Sequence, residues 1–215
     1  MQENEKIARL AELGTATVYE AAGREGLVDL PLHQIISKSR VAGKARTVLC
    51  GHGDNVMVHA CIEHIQPGEV VVLAQPESYP AALVGDLLAT QMQVAGAVGM
   101  LSNGSIRDVE VIQEMAFPIW TEFIRVRGAT KSEPGRLNVP LAMGGNIIYP
   151  GDIVVMDTDG AITVRPHRLD EVLEKAEERF VKEEVMREKL MKGARSYDLG
   201  GYGAAIEAEI KRREG

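Results

Sequence analysis

Chemistry in this 215-residue chain concentrates in two short segments. The first is Gly85-Asp86-Leu87-Leu88-Ala89. An aspartate that follows a glycine at a helix start is a good cap, because its carboxylate accepts backbone N–H bonds and meets the positive end of the helix dipole. The same geometry makes an anion site, with the free N–H groups of Leu87 and Leu88 facing a ligand carboxylate. The second segment, Ser102-Asn-Gly-Ser-Ile-Arg-Asp108, reads as a flexible turn after an apolar strand that brings Arg107 and Asp108 out at its carboxyl end. Arg107 offers a planar fork that matches a carboxylate. Asp108 offers hard oxygen to a divalent cation. A surface Arg–Asp pair that contributes little is the plainer reading of the same two neighbours.

Both segments are turns after strands, so a parallel sheet opens them on one rim. That rim would hold one guanidinium, two carboxylates and two helix N-termini, a set that suits a small dianionic acid bridged to a metal. His52, His59, His64 and His167 form no HxH or HExxH spacing. Oxygen donors therefore point to Mg²⁺ or Mn²⁺ over zinc.

The elements that must position these groups follow from periodicity and punctuation. Ile7, Leu10 and Leu13 repeat at helical spacing up to Gly14, and Thr15 can cap a second helix through Ala22. Residues 27–39 have no clear period and read as loop, and 44–50 alternate into a strand. Asp54 is a good N-cap for a helix that stops near Pro67-Gly68. Strands at 70–74, 97–101 and 117–123 alternate with helices at 86–95 and 106–115, which predicts parallel pairing. Pro-Gly turns precede the β-branched runs after Gln66 and Tyr149, so both are turn-strand units. Beyond Arg125, short strands separated by glycine and proline imply antiparallel structure. A long charged helix at 169–192, a glycine-rich tail and a last helix at 204–213 complete the chain. The expectation is an α/β domain over 1–168 and a C-terminal helical arm over 169–215.

Composition excludes several classes. Lys and Arg number 24 against 31 Asp and Glu, a net charge of −7, so clustered phosphate contacts with nucleic acid are not expected. Aromatic residues are 4% of the chain, too few for base or sugar stacking to dominate. No apolar run approaches the roughly 20 residues of a membrane helix. The polar, acidic start Met1-Gln-Glu-Asn-Glu-Lys is unlike a secretory or transit peptide. Cys50 and Cys61 have no metal or redox spacing, so a reducing cytoplasm is the expected home.

Asp86, twenty intervening residues and Arg107-Asp108 resemble the D-x20-R-D signature of class II pyruvate aldolases. These enzymes cleave 4-hydroxy-4-methyl-2-oxoglutarate and 4-carboxy-4-hydroxy-2-oxoadipate, and they have the fold of the regulator of ribonuclease activity A. Leu13-Gly-Thr-Ala-Thr-Val-Tyr-Glu-Ala, Gly53-Asp-Asn-Val-Met-Val-His, Gly85-Asp-Leu-Leu-Ala-Thr, Pro150-Gly-Asp and Asp157-x-Asp-Gly160 resemble family segments in the family's order. The resemblance implies an α/β/β/α sandwich-like layering and a homotrimer or homohexamer with the site at a subunit interface. It implies that Asp108 binds the metal directly, with Asp86 and Glu183 reaching it through water. Arg107 would grip the pyruvyl part with the N–H groups of Leu87 and Leu88, beside Gly85 and Asn55, and Glu183 would enter from the next subunit. The implied catalytic residues are then Asp86, Arg107 and Glu183.

Two departures stand out: Ser105, where relatives often have glycine, and the tail after Gly193. The serine hydroxyl is expected either to alter the turn or to stand near the substrate. The implied reaction is retro-aldol cleavage to pyruvate and a second oxo acid, with oxaloacetate decarboxylation as a side activity. A Schiff-base enzyme would need a desolvated lysine, for which Lys44 is the strand-like candidate. A non-catalytic binding protein of the same fold is the alternative from another class.

Overall fold

Glycine and proline cut the chain into short apolar runs, which the computed structural model, describing residues 1–214, turns into a mixed α/β architecture. Two helices come first, α1 (Glu3–Leu13) and α2 (Thr15–Ala21), divided at Gly14, whose φ of 87° favours glycine. Next come β1 (Leu27–Val28), β2 (His33–Gln34), β3 (Val41–Leu49), α3 (Val56–Ile62), β4 (Glu69–Ala74) and β5 (Ala82–Val84). The middle continues with α4 (Asp86–Val94), β6 (Gly99–Ile106), α5 (Val109–Glu114) and β7 (Ile119–Ile124). Short strands follow: β8 (Arg136–Leu137), β9 (Leu141–Met143), β10 (Asn146–Ile148), β11 (Ile153–Asp157) and β12 (Gly160–Val164). A 3₁₀ turn (Pro166–Arg168) leads into α6 (Leu169–Met191), α7 (Ser196–Leu199) and α8 (Gly203–Glu214). No helix of the described residues is long and apolar enough to cross a membrane.

The main sheet runs β1-β12-β11-β3-β4-β6-β7-β2, with β5 added to β6 and β8 to β3. Pairing is parallel through β3, β4, β6 and β7, as the alternation of strands and helices predicts, and antiparallel from β11 outward. Side-chain alternation then sorts three cores. Val71 and Leu73 of β4 face the cluster under α3, α4 and α5. Val70, Val72 and Ala74 face a central cluster built around Leu101, Trp120 and Met156. On β11 and β12 the outward side chains Ile153, Val155, Ile162 and Val164 pack under α1, α2 and the start of α6. The two halves of this one sheet thus share the central core, with α3, α4 and α5 on the far side of one half and α1, α2 and the start of α6 on the far side of the other.

Two compact units divide inside α6. The first, Met1–Ala176, includes Leu169, Val172, Leu173 and Ala176, which are buried in the core beneath α1 and α2. The first two turns of α6 thus belong to the α/β body. The second unit begins at Glu177, just past the last buried residue of α6, and there Val181, Val185 and Leu190 are exposed.

Several local expectations need correction. The 27–39 stretch holds the two short strands β1 and β2, each tied to the sheet edge by backbone pairing without a periodic apolar pattern. Residues 102–106 are not a flexible turn but the buried second half of β6, and α5 starts at Val109. The small polar side chains are satisfied there: Asn103 Oδ1 accepts the Gln75 N–H at 2.8 Å, and the Gly104 N–H donates to Ser102 Oγ at 2.9 Å. A bulge between Ser102 and Ser105 absorbs the register change against β7.

A candidate active site at the carboxyl rim of β5 and β6

The strand β5, which periodicity does not reveal, is what brings the two chemical segments together. It pairs parallel with the outer half of β6, Ala82 opposite Ser105 and Val84 opposite Ile106. The ladder continues one step beyond, where the Arg107 N–H donates to the Val84 carbonyl at 3.1 Å. Both chains then leave the sheet at the same height, one into Gly85 and α4, the other into Arg107, Asp108 and α5.

The approach leaves no room for a side chain at 85 unless the Asp108 carboxylate moves aside. A Cβ there would lie 2.5 Å from Asp108 Oδ2 and 3.3 Å from Arg107 Nε. The Asp86 N–H points at the same carboxylate oxygen from 3.4 Å. Asp108 sits in the left-handed region, φ 60° and ψ 40°, which aspartate tolerates better than most side chains and which turns the chain sharply into α5. Arg107 Nε and Asp108 Oδ2 are 3.4 Å apart, and both side chains are substantially exposed, so this pair binds weakly and leaves both groups available. Leu87 and Leu88 lie in the first turn of α4, whose N–H groups have no intrahelical acceptors.

A cleft of about 280 Å³ lies over that helix start, lined among others by Gly85, Asp86, Leu87, Leu88, Arg107 and Asn55. Asn55 is buried, its Nδ2 donates to the Leu83 carbonyl at 2.8 Å, and its Oδ1 has no partner among the described residues. A buried acceptor without a donor is costly, and a ligand hydroxyl reaching it would relieve that cost. Sequence reasoning missed His59, Gln91 and Lys131, which also line the cleft. His59 and Gln91 were legible as surface positions of helices already expected. Lys131 gave no signal, because its loop is brought there by tertiary bonds. A second, wider cleft of about 950 Å³ shares Asp86, Arg107 and Asp108 and extends over Val109, Val111, Ile124 and Val126.

Asp54 organises the neighbourhood without lining either cleft. The sequence marks it as the cap of a helix running to about Pro67; the cap position is instead Asn55 and α3 ends at Ile62, but one Asp54 oxygen still accepts the Val56 N–H at 2.8 Å. Its other oxygen accepts the Thr130 hydroxyl at 2.7 Å and the Ser132 and Glu133 N–H groups at 2.6 and 3.1 Å. Burial works against the charged form, but these four donors overcome it and hold the carboxyl down at about 2, from an ordinary 3.8.

The donor set at the rim suits a hard cation. Asp86 and Asp108 present carboxylate oxygens on one cleft, and no group of three or more His, Cys, Asp or Glu gathers among the described residues. One or two carboxylates completed by water and a bidentate ligand is the usual coordination of Mg²⁺. Glu183 lies in the second unit, on α6, where Arg179 Nε pairs with it at 2.8 Å. Lys44 is partly exposed, with its Nζ 2.6 Å from Glu3 Oε2, so it lacks the desolvated setting of a Schiff-base lysine. Ser105 is fully buried with its hydroxyl on the Ile106 carbonyl at 3.1 Å, so it neither opens a turn nor adds a hydroxyl to the cleft.

Comparison with known proteins agrees with this fold. The profile of the RraA-like family, described as Aldolase/RraA, matches residues 15–163, and the chain belongs to that family. A Halalkalibacterium halodurans protein named "Putative 4-hydroxy-4-methyl-2-oxoglutarate aldolase" is 29% identical over 181 residues, 83% of this chain and 85% of that one. The crystal structure of Streptomyces coelicolor RraAS2, described as an unusual member of the RNase ES inhibitor RraA family, aligns with a TM-score of 0.76 at 28% identity. It covers 86% of this chain and 97% of that one. A Geobacillus kaustophilus structure described as an S-adenosylmethionine:2-dimethylmenaquinone methyltransferase aligns with a TM-score of 0.65 at 30% identity, over 70% of this chain and 93% of that one. Three relatives carry three different activities in their names, so the choice among them falls to the site.

Two outcomes follow from this geometry. Gly85→Ala must displace the flexible Asp108 carboxylate more than any backbone, so its unfolding free energy, read by urea titration, should fall by only about 1 kcal/mol. A divalent cation held by Asp108 would then bind about tenfold or more weakly, read by calorimetry, as happens when neighbours of a metal ligand are disturbed. For Asp54 the folded pKa lies below the unfolded one, so its contribution to stability is full above about pH 4. It is lost as pH falls through the window between 3.8 and about 2. Acid titration should therefore show Asp54→Asn losing the part of the wild-type stability decline that falls in this window.

Proposed function

We propose that this protein is a divalent-metal-dependent pyruvate aldolase. It would cleave a 4-hydroxy-2-oxo dicarboxylic or tricarboxylic acid, such as 4-hydroxy-4-methyl-2-oxoglutarate or 4-carboxy-4-hydroxy-2-oxoadipate, to pyruvate and a second oxo acid. The observation that carries this reading is the meeting of Asp86, Arg107 and Asp108 on one rim, beside the open N-terminus of α4. Belonging to the Aldolase/RraA family and resembling the named aldolase support it.

In this reading the substrate carboxylate lies against the N–H groups of Leu87 and Leu88, and Arg107 holds the adjacent 2-keto oxygen. Asp108, with Asp86 behind it, would hold Mg²⁺ or Mn²⁺, which when bound supplies Lewis-acid stabilisation of negative charge on that oxygen. Asp86 orients a water that takes the 4-hydroxyl proton as the C3–C4 bond breaks. The bond's electron pair moves into the pyruvate enolate, and Arg107 stabilises the charge as it develops. Return of a proton to C3 releases pyruvate. Oxaloacetate would lose CO₂ to give the same enolate, which makes its decarboxylation the convenient assay.

The C-terminal arm would extend this site in a homotrimer or homohexamer, where Glu183 of one subunit would serve its neighbour through water. Cys50 and Cys61 are free and buried, and burial pushes their thiols up to about 12 and about 11, which suits inert thiols in a reducing cytoplasm. A non-catalytic regulator is the second reading, favoured by the likeness to RraAS2. It leaves the orphaned Asn55 acceptor and the open rim without a task.

The assay separates the two. With oxaloacetate and Mg²⁺ the protein should release pyruvate, and EDTA should abolish the enzymatic part; a rate equal with chelator contradicts metal dependence. Asp108→Ala should lower kcat/KM by about 100-fold or more, because it removes the group that would hold the charge-stabilising cation, while the protein stays folded with a Tm lower by only a few degrees, the cost of alanine at a left-handed cap position. Glu183→Ala should lower kcat about tenfold with the assembly intact by size-exclusion chromatography, as loss of a proton-handling group does. Unchanged kinetics in that variant would leave Glu183 as the helix-surface partner of Arg179.

A further inference from the structure

We propose that Asp54 is a positioning residue for the cleft: its carboxylate pins the 130–133 segment so that Lys131 is held across from Asn55. The inference rests on reading the cleft as the substrate site. Its basis is a convergence of bonds between two segments far apart in sequence. The Thr130 N–H donates to the Gly53 carbonyl at 2.8 Å, and the Asn55 N–H donates to the Thr130 carbonyl at 3.0 Å, which makes a one-residue parallel bridge between Asp54 and Thr130.

That bridge alone leaves Ser132 and Glu133 free. The Asp54 carboxylate captures both N–H groups and the Thr130 hydroxyl as well. Lys131 is thus flanked on both sides by residues bound to one oxygen. It lines the cleft with Asn55, whose backbone is bound from the same loop.

The other side of the bridge is equally firm. The Gly53 N–H donates to Gln75 Oε1 at 2.8 Å, and Gln75 is locked to Asn103 of β6 by reciprocal bonds of 2.8 and 3.1 Å. Asp54 is therefore referenced to the strand that ends at Arg107. Asp54 is buried and touches no cleft surface, so any effect it has on substrate must pass through the segments it holds. Exposed loops seldom hold a long side chain in place unaided, and a charged acceptor that gathers several backbone donors is a strong way to do so.

Steady-state decarboxylation of oxaloacetate with Mg²⁺ tests this on Asp54→Asn, Lys131→Met and the double variant. Asp54→Asn should raise KM about tenfold with kcat within about threefold of wild type, the pattern of lost binding that is uniform along the reaction. Lys131→Met should do the same, and the double variant should cost no more than Lys131→Met alone, because the two act through one contact. Additive losses, or an unchanged KM, overturn the proposal.

Hydrogen exchange gives a readout independent of turnover. The Ser132 and Glu133 amides should exchange about 100-fold faster in Asp54→Asn while those of α4 stay protected, and unchanged exchange overturns the clamp. A wild-type protein inactive on oxaloacetate would defeat the proposed function, and the exchange result would still decide the clamp. If Asp54→Asn fails to fold, Thr130→Val removes one bond to the same oxygen and should raise KM in the same direction by a smaller factor.

Discussion

The parallel register of β5 on the outer half of β6 is the constraint on which the site depends. Three residues of β5 suffice, because they take up the flank of β6 that β4 leaves after Leu73. With Val84 opposite Ile106, the next residues out are Gly85 and Arg107, followed by Asp86 and Asp108. A slip of one residue would turn Arg107 inward and remove the carboxylates from the shared rim. The 2.5 Å separation that a Cβ at 85 would have from Asp108 Oδ2 expresses the same constraint at atomic scale.

Around that junction the protein separates rigid from available polar groups. Asn103, Gln75 and Asp54 are buried and satisfied by short hydrogen bonds. Arg107, Asp108 and Lys131 stand at the surface of the clefts. Buried polar networks that are fully bonded specify one arrangement, which lets exposed groups keep their place without strong bonds to each other. The 3.4 Å contact between Arg107 and Asp108 is weak for this reason, and each is left with capacity for a ligand.

Much of this was legible in residue types. Helical spacing of Ile7, Leu10 and Leu13, the Pro-Gly turns before β4 and β11, and the alternation of strands with helices through 70–123 all describe real elements. Asp86, Arg107 and Asp108 could be chosen because the carboxyl ends of strands are where parallel sheets bind ligands. The continuation of β6 through Ser102, Asn103, Gly104 and Ser105 was not legible. Small polar residues look like a turn until the partners that satisfy them, Gln75 among others, are known. β5 is too short to show a period, and Lys131 sits in a loop placed by the buried Asp54 carboxylate. Local pattern reports elements; long-range hydrogen bonds decide which surfaces they share.

The family contains members named for aldol cleavage and for inhibition of a ribonuclease, on one fold, so function must be argued from side chains at the rim. In the proposed chemistry Asp108 and Arg107 together bind a planar dianion through a divalent cation. Calorimetric binding of oxalate, which mimics the pyruvate enolate, measures this without turnover. Oxalate should bind tightly with Mg²⁺ present, and binding should be lost both on removal of Mg²⁺ and in Asp108→Asn. Equal oxalate affinity with and without the cation would contradict that chemistry.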